Sequence, residues 1–259
     1  MLLHLLQSYG CLTTRQIASK AFPDVRLTTV LRRLRYLNEA GYIQKILGLK
    51  SSERLWAVTK KSSEKFGFTS AKTSFPRAIL EHDSILATLR SSLEGHGIAQ
   101  SWIPEHEIRQ SVARRHGLRE TTRRVIPDGI MSVEINGLKE SVAVELELSP
   151  KNQKRYREIL QDYSHKESLF AVWYVIQSMT LKKQIEQAEK STYAGSRSPK
   201  ILFSLIDDVL RDPLNAKVIQ KIESRKISDL FTPKPAHPTA HVVSAKIEEK
   251  IESEIDATA

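Results

Sequence analysis

The chain has 259 residues, enough for one large domain or two modest ones, and sets 40 Lys and Arg against 30 Asp and Glu for a formal net charge of +10. That balance favours an anionic partner, nucleic acid before membrane, and no stretch is long and apolar enough to span a bilayer. Cys11 is the single cysteine, which excludes an intrachain disulfide and a cysteine-built zinc site and fits a reducing, cytoplasmic setting.

The opening Met1-Leu2-Leu3-His4-Leu5-Leu6 lacks the basic flank of a signal peptide and reads as a first core helix ending at Gly10. Thr13, with Gln16 three residues on, forms a capping-box pattern for a second helix from Thr14 to about Phe22. A third helix is expected from about Leu27 to Ala40, where Val30, Leu31, Leu34 and Leu37 make a buried stripe and Gly41 supplies a left-handed cap. Its other face presents Arg26, Thr28, Thr29, Arg32, Arg33 and Arg35. Two strands, Tyr42 to Ile46 and Arg54 to Val58, flank a polar turn at Lys50-Ser51-Ser52-Glu53. Across residues 1–60, ten basic residues meet only three acids, Asp24, Glu39 and Glu53.

This order of elements, and the run Leu37-Asn38-Glu39-Ala40-Gly41-Tyr42-Ile43 in particular, resembles the winged helix-turn-helix superfamily. The resemblance implies that the third helix enters the major groove of double-stranded DNA while the wing, with Lys50 and Arg54, touches the backbone. A homodimer is a further expectation of such a module, although no segment marks the interface.

Thr59 to Lys72 reads as a polar linker with Phe66 and Phe68 as packing anchors, and a long helix is expected from Phe75-Pro76 through Leu93. The domain division is then 1–68, a connecting helix at 69–97, a second domain at 98–231 and a linker with a charged tail at 232–259. In the second domain Ile98 to Ile108 is expected as a strand carrying Glu107 at its end. A basic excursion follows with Arg109, Arg114, Arg115, Arg119, Arg123 and Arg124, of which Arg114, Arg115 and Arg119 are expected to contact DNA phosphates. Val125 to Ile135 and Ser141 to Leu148 read as strands around the hairpin signal Asn136-Gly137. A helix from about Asn152 to Ser164, a strand from Leu169 to Ile176, a helix near Leu181 to Lys190 and a strand at Ile201 to Ile206 complete a mixed sheet covered by helices. Asp208 to Ile222 has helical spacing. The tail beyond Phe231 either stays disordered or orders against a protein partner.

Glu145 and Glu147 fall on the same side of an apolar strand, since side chains alternate, and ordinary core packing does not require two carboxylates there. With Asp128, and with Glu107 as a fourth acid, they offer oxygen ligands for Mg²⁺; Lys151 lies close enough in sequence to reach the same region. The alternative is structural: Asp128 caps a turn, Glu145 pairs with an arginine, and Glu147 faces solvent.

The motif Pro127-Asp128 followed by Glu145-Leu146-Glu147 resembles the PD-(D/E)xK nuclease superfamily, with Glu147 where the usual lysine falls and Lys151 as a candidate replacement. The wider pattern of Arg124-Val125-Ile126-Pro127-Asp128-Gly129, Val144 to Ser149 and Val172-Trp173-Tyr174-Val175 is similar to the replication-relaxation proteins of plasmids and mobile elements. That resemblance implies an α+β chain: an N-terminal winged helix followed by a restriction-endonuclease-like α/β domain with a mixed central sheet. It also implies a role in plasmid replication, DNA relaxation or transfer. Three readings stay open: a DNA-binding accessory protein whose second domain does not cut, a Mg²⁺-dependent nickase using Asp128, Glu145 and Glu147 or Lys151, and a winged-helix transcriptional regulator.

Overall fold

The computed structural model describes residues 1–46, 54–68, 72, 74–192 and 200–234. The chain is α+β and divides into two compact units, Met1–Ala87 and Thr88–Ala236. No helix among the described residues is long and apolar enough to cross a membrane.

In the first unit α1 (Leu2–Tyr9) buries Leu2, Leu3 and Leu6. The short β1 (Leu12–Thr13), which periodicity did not reveal, leads directly into α2 (Thr14–Ala21). Both halves of the expected capping box form: the Gln16 amide N–H donates to Thr13 Oγ1 at 3.1 Å, and the Thr13 amide N–H donates to Gln16 Oε1 at 2.8 Å. α3 (Leu27–Glu39) buries Val30 and Leu34. Its end is a Schellman motif in which Tyr42 N–H reaches Leu37 O and Gly41 N–H reaches Asn38 O, with Gly41 at φ 76°. β2 (Ile43–Ile46) and β3 (Leu55–Val58) pair antiparallel, and β1 joins the free side of β3 with Leu12 opposite Trp56. Trp56 is 2% exposed and donates its indole N–H to Thr14 Oγ1 at 2.9 Å, so the largest side chain of this core also ties the sheet to α2.

The expected linker after β3 contains a helix, α4 (Lys60–Phe66), started by the Thr59 side chain accepting from Ser62 N–H. Ser62 is buried, and its hydroxyl donates to Tyr42 O at 2.5 Å. Polar side chains that satisfy backbone groups hid the element, because they give no apolar stripe. Phe68 does anchor in the core, as its position beside the wing suggested.

The division between units falls within α5 (Arg77–Gly95). The second unit continues with β4 (Ser101–Pro104), α6 (Glu105–His116), α7 (Glu120–Arg123), β5 (Gly129–Ile135), β6 (Leu138–Glu147) and α8 (Gln153–Ser164). It ends with β7 (Ala171–Ile176), α9 (Met179–Thr192), β8 (Ile201–Leu205), α10 (Ile206–Arg211), β9 (Lys217–Gln220), β10 (Glu223–Lys226) and α11 (Ile227–Leu230). Seven strands form one sheet in the order β10-β9-β8-β7-β6-β5-β4. The joins β6–β7 and β7–β8 are parallel and the others antiparallel. Asn136 (φ 51°) and Gly137 (φ 79°) both take the left-handed conformation that a tight turn between β5 and β6 demands.

Central β7 is buried along its whole length, as expected of a parallel strand covered on both faces. One face packs Ala143, Val172, Tyr174 and Phe203 against Tyr156, Ile159, Leu160 and Tyr163 of α8 and Leu181 and Ile185 of α9. Toward the other face, Trp173 gives its indole N–H to Ser204 Oγ at 3.0 Å and lies 5.6 Å from the Phe231 ring.

Two expected elements are corrected. The strand over Ile98 to Ile108 stops at Pro104, and Glu107 stands in the first turn of α6. The helix over Asp208 to Ile222 is only α10, followed by the β9–β10 hairpin.

Candidate functional site

Two surfaces carry the residues singled out by sequence. The first is the outer face of α3. Val30 and Leu34 point inward, so helical spacing sets Thr28, Arg32 and Arg35 in one outward stripe, and all three are exposed. Arg26 and Arg33 are exposed too, with the Arg33 guanidinium 5.2 Å from the centre of the Phe22 ring, while Thr29 is half-buried. Arg54 is exposed at the entry to β3; Lys50 lies outside the described residues. Among the described residues, Arg32 and Arg35 have no acidic partner.

The second surface is the start of β5 and the end of β6. Asp128 precedes β5, and its Oδ2 accepts the Leu146 N–H at 2.7 Å, which holds the loop against β6. Glu145 and Glu147 share a face of β6, as alternation requires, and that face is the one covered by α8. Glu145 accepts a short hydrogen bond from the Tyr163 hydroxyl. Glu147, 3% exposed, pairs with the Lys151 ammonium, and the Lys151 amide N–H donates to the Tyr156 hydroxyl oxygen at 3.1 Å. The turn after β6 thus folds back so that α8 and Lys151, two residues before it, clamp both glutamates.

These surroundings set the charge state. Burial, then the neighbouring Asp128 carboxylate, push the Glu145 carboxyl up to about 8, against the opposing pull of the Tyr163 hydroxyl and the Lys151 ammonium. Burial first, and Glu145 second, push the Tyr163 phenol well above its ordinary range. At neutral pH a Glu145 carboxyl raised in this way keeps its proton.

The structure therefore brings together Asp128, Glu145, Glu147 and Lys151. Glu107 sits on α6, and among the described residues no group of three or more His, Cys, Asp or Glu is placed to hold a metal ion. Asp128 and Glu145 are hard oxygen donors, the ligand type that Mg²⁺ takes. Arg114, Arg115 and Arg119 belong to the exposed end of α6 and the segment leading into α7. Sequence reasoning missed the two phenols. Their signal was the i, i+7 spacing of Tyr156 and Tyr163 on the helix directly after the glutamate strand, which puts both on the sheet-facing side.

A helical, basic N-terminal unit joined to a mixed sheet with a buried carboxylate cluster defines the class: a two-unit α+β protein. The model of the replication-relaxation family matches residues 3–167, and the chain belongs to that family. No curated protein and no solved structure matches the chain.

Proposed function

We propose that this replication-relaxation family protein binds double-stranded DNA, with α3 as the groove-entering helix of a winged helix-turn-helix and β2–β3 as its wing. It would act in plasmid or mobile-element replication, relaxation or transfer. The observation that carries the reading is the outward stripe Thr28, Arg32 and Arg35, exposed, cationic and held on a helix whose opposite side is core. Arginine forks and a threonine hydroxyl at one-turn spacing match phosphate oxygens and base edges along a groove.

Replacing Arg32 and Arg35 together by alanine is the test. Both are exposed, so folding should survive. Duplex affinity, measured by fluorescence anisotropy across a salt series, should fall, and the slope of log K against log salt should shrink by about 2. Unchanged affinity and slope would remove α3 from the interface.

The carboxylate cluster supports a second reading, in which the β-sheet unit is PD-(D/E)xK-derived and binds Mg²⁺. The observation in its favour is the placement of Asp128, bonded to the Leu146 N–H, next to the buried Glu145, a pair of carboxyl groups whose repulsion a bound cation would relieve. Asp128 and Glu145 would hold the ion, which when bound would polarise a phosphodiester oxygen and lower the pKa of a bound water. Tyr163 orients Glu145, and Lys151 keeps the buried Glu147 charge balanced.

A further inference from the structure

We propose that α6 and α7 form a second DNA-contacting arm, gripping the sugar-phosphate backbone through Arg114, Arg115 and Arg119. This rests on the reading that the protein binds DNA.

α6 is a twelve-residue helix with no buried residue. Residues 105–108 and 110–113 are half-buried whereas 114–116 are exposed, so the tip adds nothing to a core and is maintained by side-chain pairs or serves something outside the fold. Internal pairs are present: an ion pair stands at its root, and nearer the tip Arg114 donates to the neutral Gln110 Oε1 at 2.6 Å, which leaves the Arg114 charge unbalanced. Arg109 bonds Glu105 one turn back at 2.5 Å and reaches Thr121 O at 3.1 Å, tying α6 to α7. Toward the tip the character changes. Residues 114–119 are all exposed, and they include Arg114, Arg115, His116 and Arg119 without an acid. The nearest acid in sequence, Glu120, is engaged by Arg123 and Arg124, both at 3.4 Å.

The helix dipole accounts for part of this: acids in the first turn and bases in the last stabilise any helix. That effect fades within a turn and does not reach Arg119, which lies beyond Gly117. The surplus of guanidinium groups without an acidic partner on an exposed tip complements a polyanion, and arginine forks suit phosphate oxygens. Leu118, 79% exposed, offers no apolar patch large enough for a protein partner by itself.

The root of the arm adds a positional argument. The Glu105 N–H donates to Asp128 O at 3.2 Å, so α6 springs from the same sheet end that carries Asp128 and Glu145. DNA gripped by the arm is thereby brought toward the carboxylate cluster.

The experiment uses the full chain with Arg114→Gln, Arg115→Gln and Arg119→Gln combined, beside the Arg32→Ala, Arg35→Ala variant. Glutamine is a good helix former that keeps a polar side chain while removing the charge and the guanidinium fork, and circular dichroism should show an unchanged fold. Binding to a duplex long enough to engage both units is measured across a salt series. The expected result is a salt slope smaller by about 3 and an affinity near 0.1 M salt weaker by about a hundredfold, alike for unrelated sequences. A triple variant with parental affinity and slope overturns the arm, and is also the outcome if the tip serves an acidic protein. Loss in the α3 variant with none in the triple variant leaves the α3 reading standing alone. Loss in the triple variant with none at α3 supports the arm and overturns the α3 reading.

Discussion

Gly129→Ala is expected to destabilise the second unit by about 1–3 kcal/mol, as overpacking of a filled site does. A methyl group at Gly129 would lie 2.4 Å from the Trp102 indole ring, well inside contact distance. The ring has little room to yield. Trp102 is 8% exposed, its strand is fixed by pairing of Trp102 with Met131, and the buried Arg90 guanidinium stands 5.9 Å from the ring centre. Gly129 also opens β5 directly after Asp128, so a displaced backbone there loosens the Asp128 to Leu146 bond that positions the carboxylate. The check is a double-mutant cycle by chemical denaturation with Trp102→Leu. Removing the indole should cancel most of the alanine's cost, a coupling of about 1 kcal/mol or more, whereas additivity within about 0.5 kcal/mol would show that the two side chains do not compete for space.

The second large effect concerns pH. Glu145 ionises near 8 in the folded chain and near its ordinary value of 4.5 when unfolded. Between those values the folded state holds a proton that the unfolded state has released, so stability falls as pH rises through this window and levels off above it. The slope from this one group is at most about 1.4 kcal/mol per pH unit. Glu145→Gln keeps an acceptor for Tyr163 and removes the titration. The variant should therefore lose this slope and exceed the parent in stability at pH 9. Equal pH profiles for parent and variant would refute the assignment. Mg²⁺ provides a further arm at pH 8.5: stabilisation of the parent but not of Glu145→Gln supports the cation reading, and stabilisation of neither opposes it.

Where local chemistry dominated, the elements were legible in the sequence. The Thr13–Gln16 box, the Asn136-Gly137 turn and the unbroken apolar run of β7 each name one conformation without help from distant residues. The same holds for the shared face of Glu145 and Glu147, which follows from strand alternation alone. Legibility failed where periodicity and environment parted. α6 has no fully buried residue, so no stripe marks it, and the apolar Ile103 and Ile108 on either side of Pro104 read as one continuous strand. Beyond α10, Val218 and Ile222 continue a four-residue spacing, yet Ile222 is 99% exposed at the tip of the β9–β10 turn, with Lys221 at φ 55°. At the candidate site the carboxylates were visible and their partners were not. That Tyr163 would meet Glu145 depends on how α8 lies across the sheet, a tertiary fact that spacing within the helix only hints at.

The seven strands stand side by side in the order in which the chain supplies them. No later strand must be threaded between two earlier ones, so during synthesis each can dock on the edge left by its predecessor while the rest is still on the ribosome. The costly closures are the two parallel joins, each waiting for its crossover helix, α8 or α9, to form and cover it. Nascent chains halted after β6 would then present a finished antiparallel meander of β4, β5 and β6 whose glutamates have not yet met Tyr163. The carboxylate cluster is thus completed only when α8 leaves the exit tunnel, which dates the maturation of the site to one moment in the protein's birth.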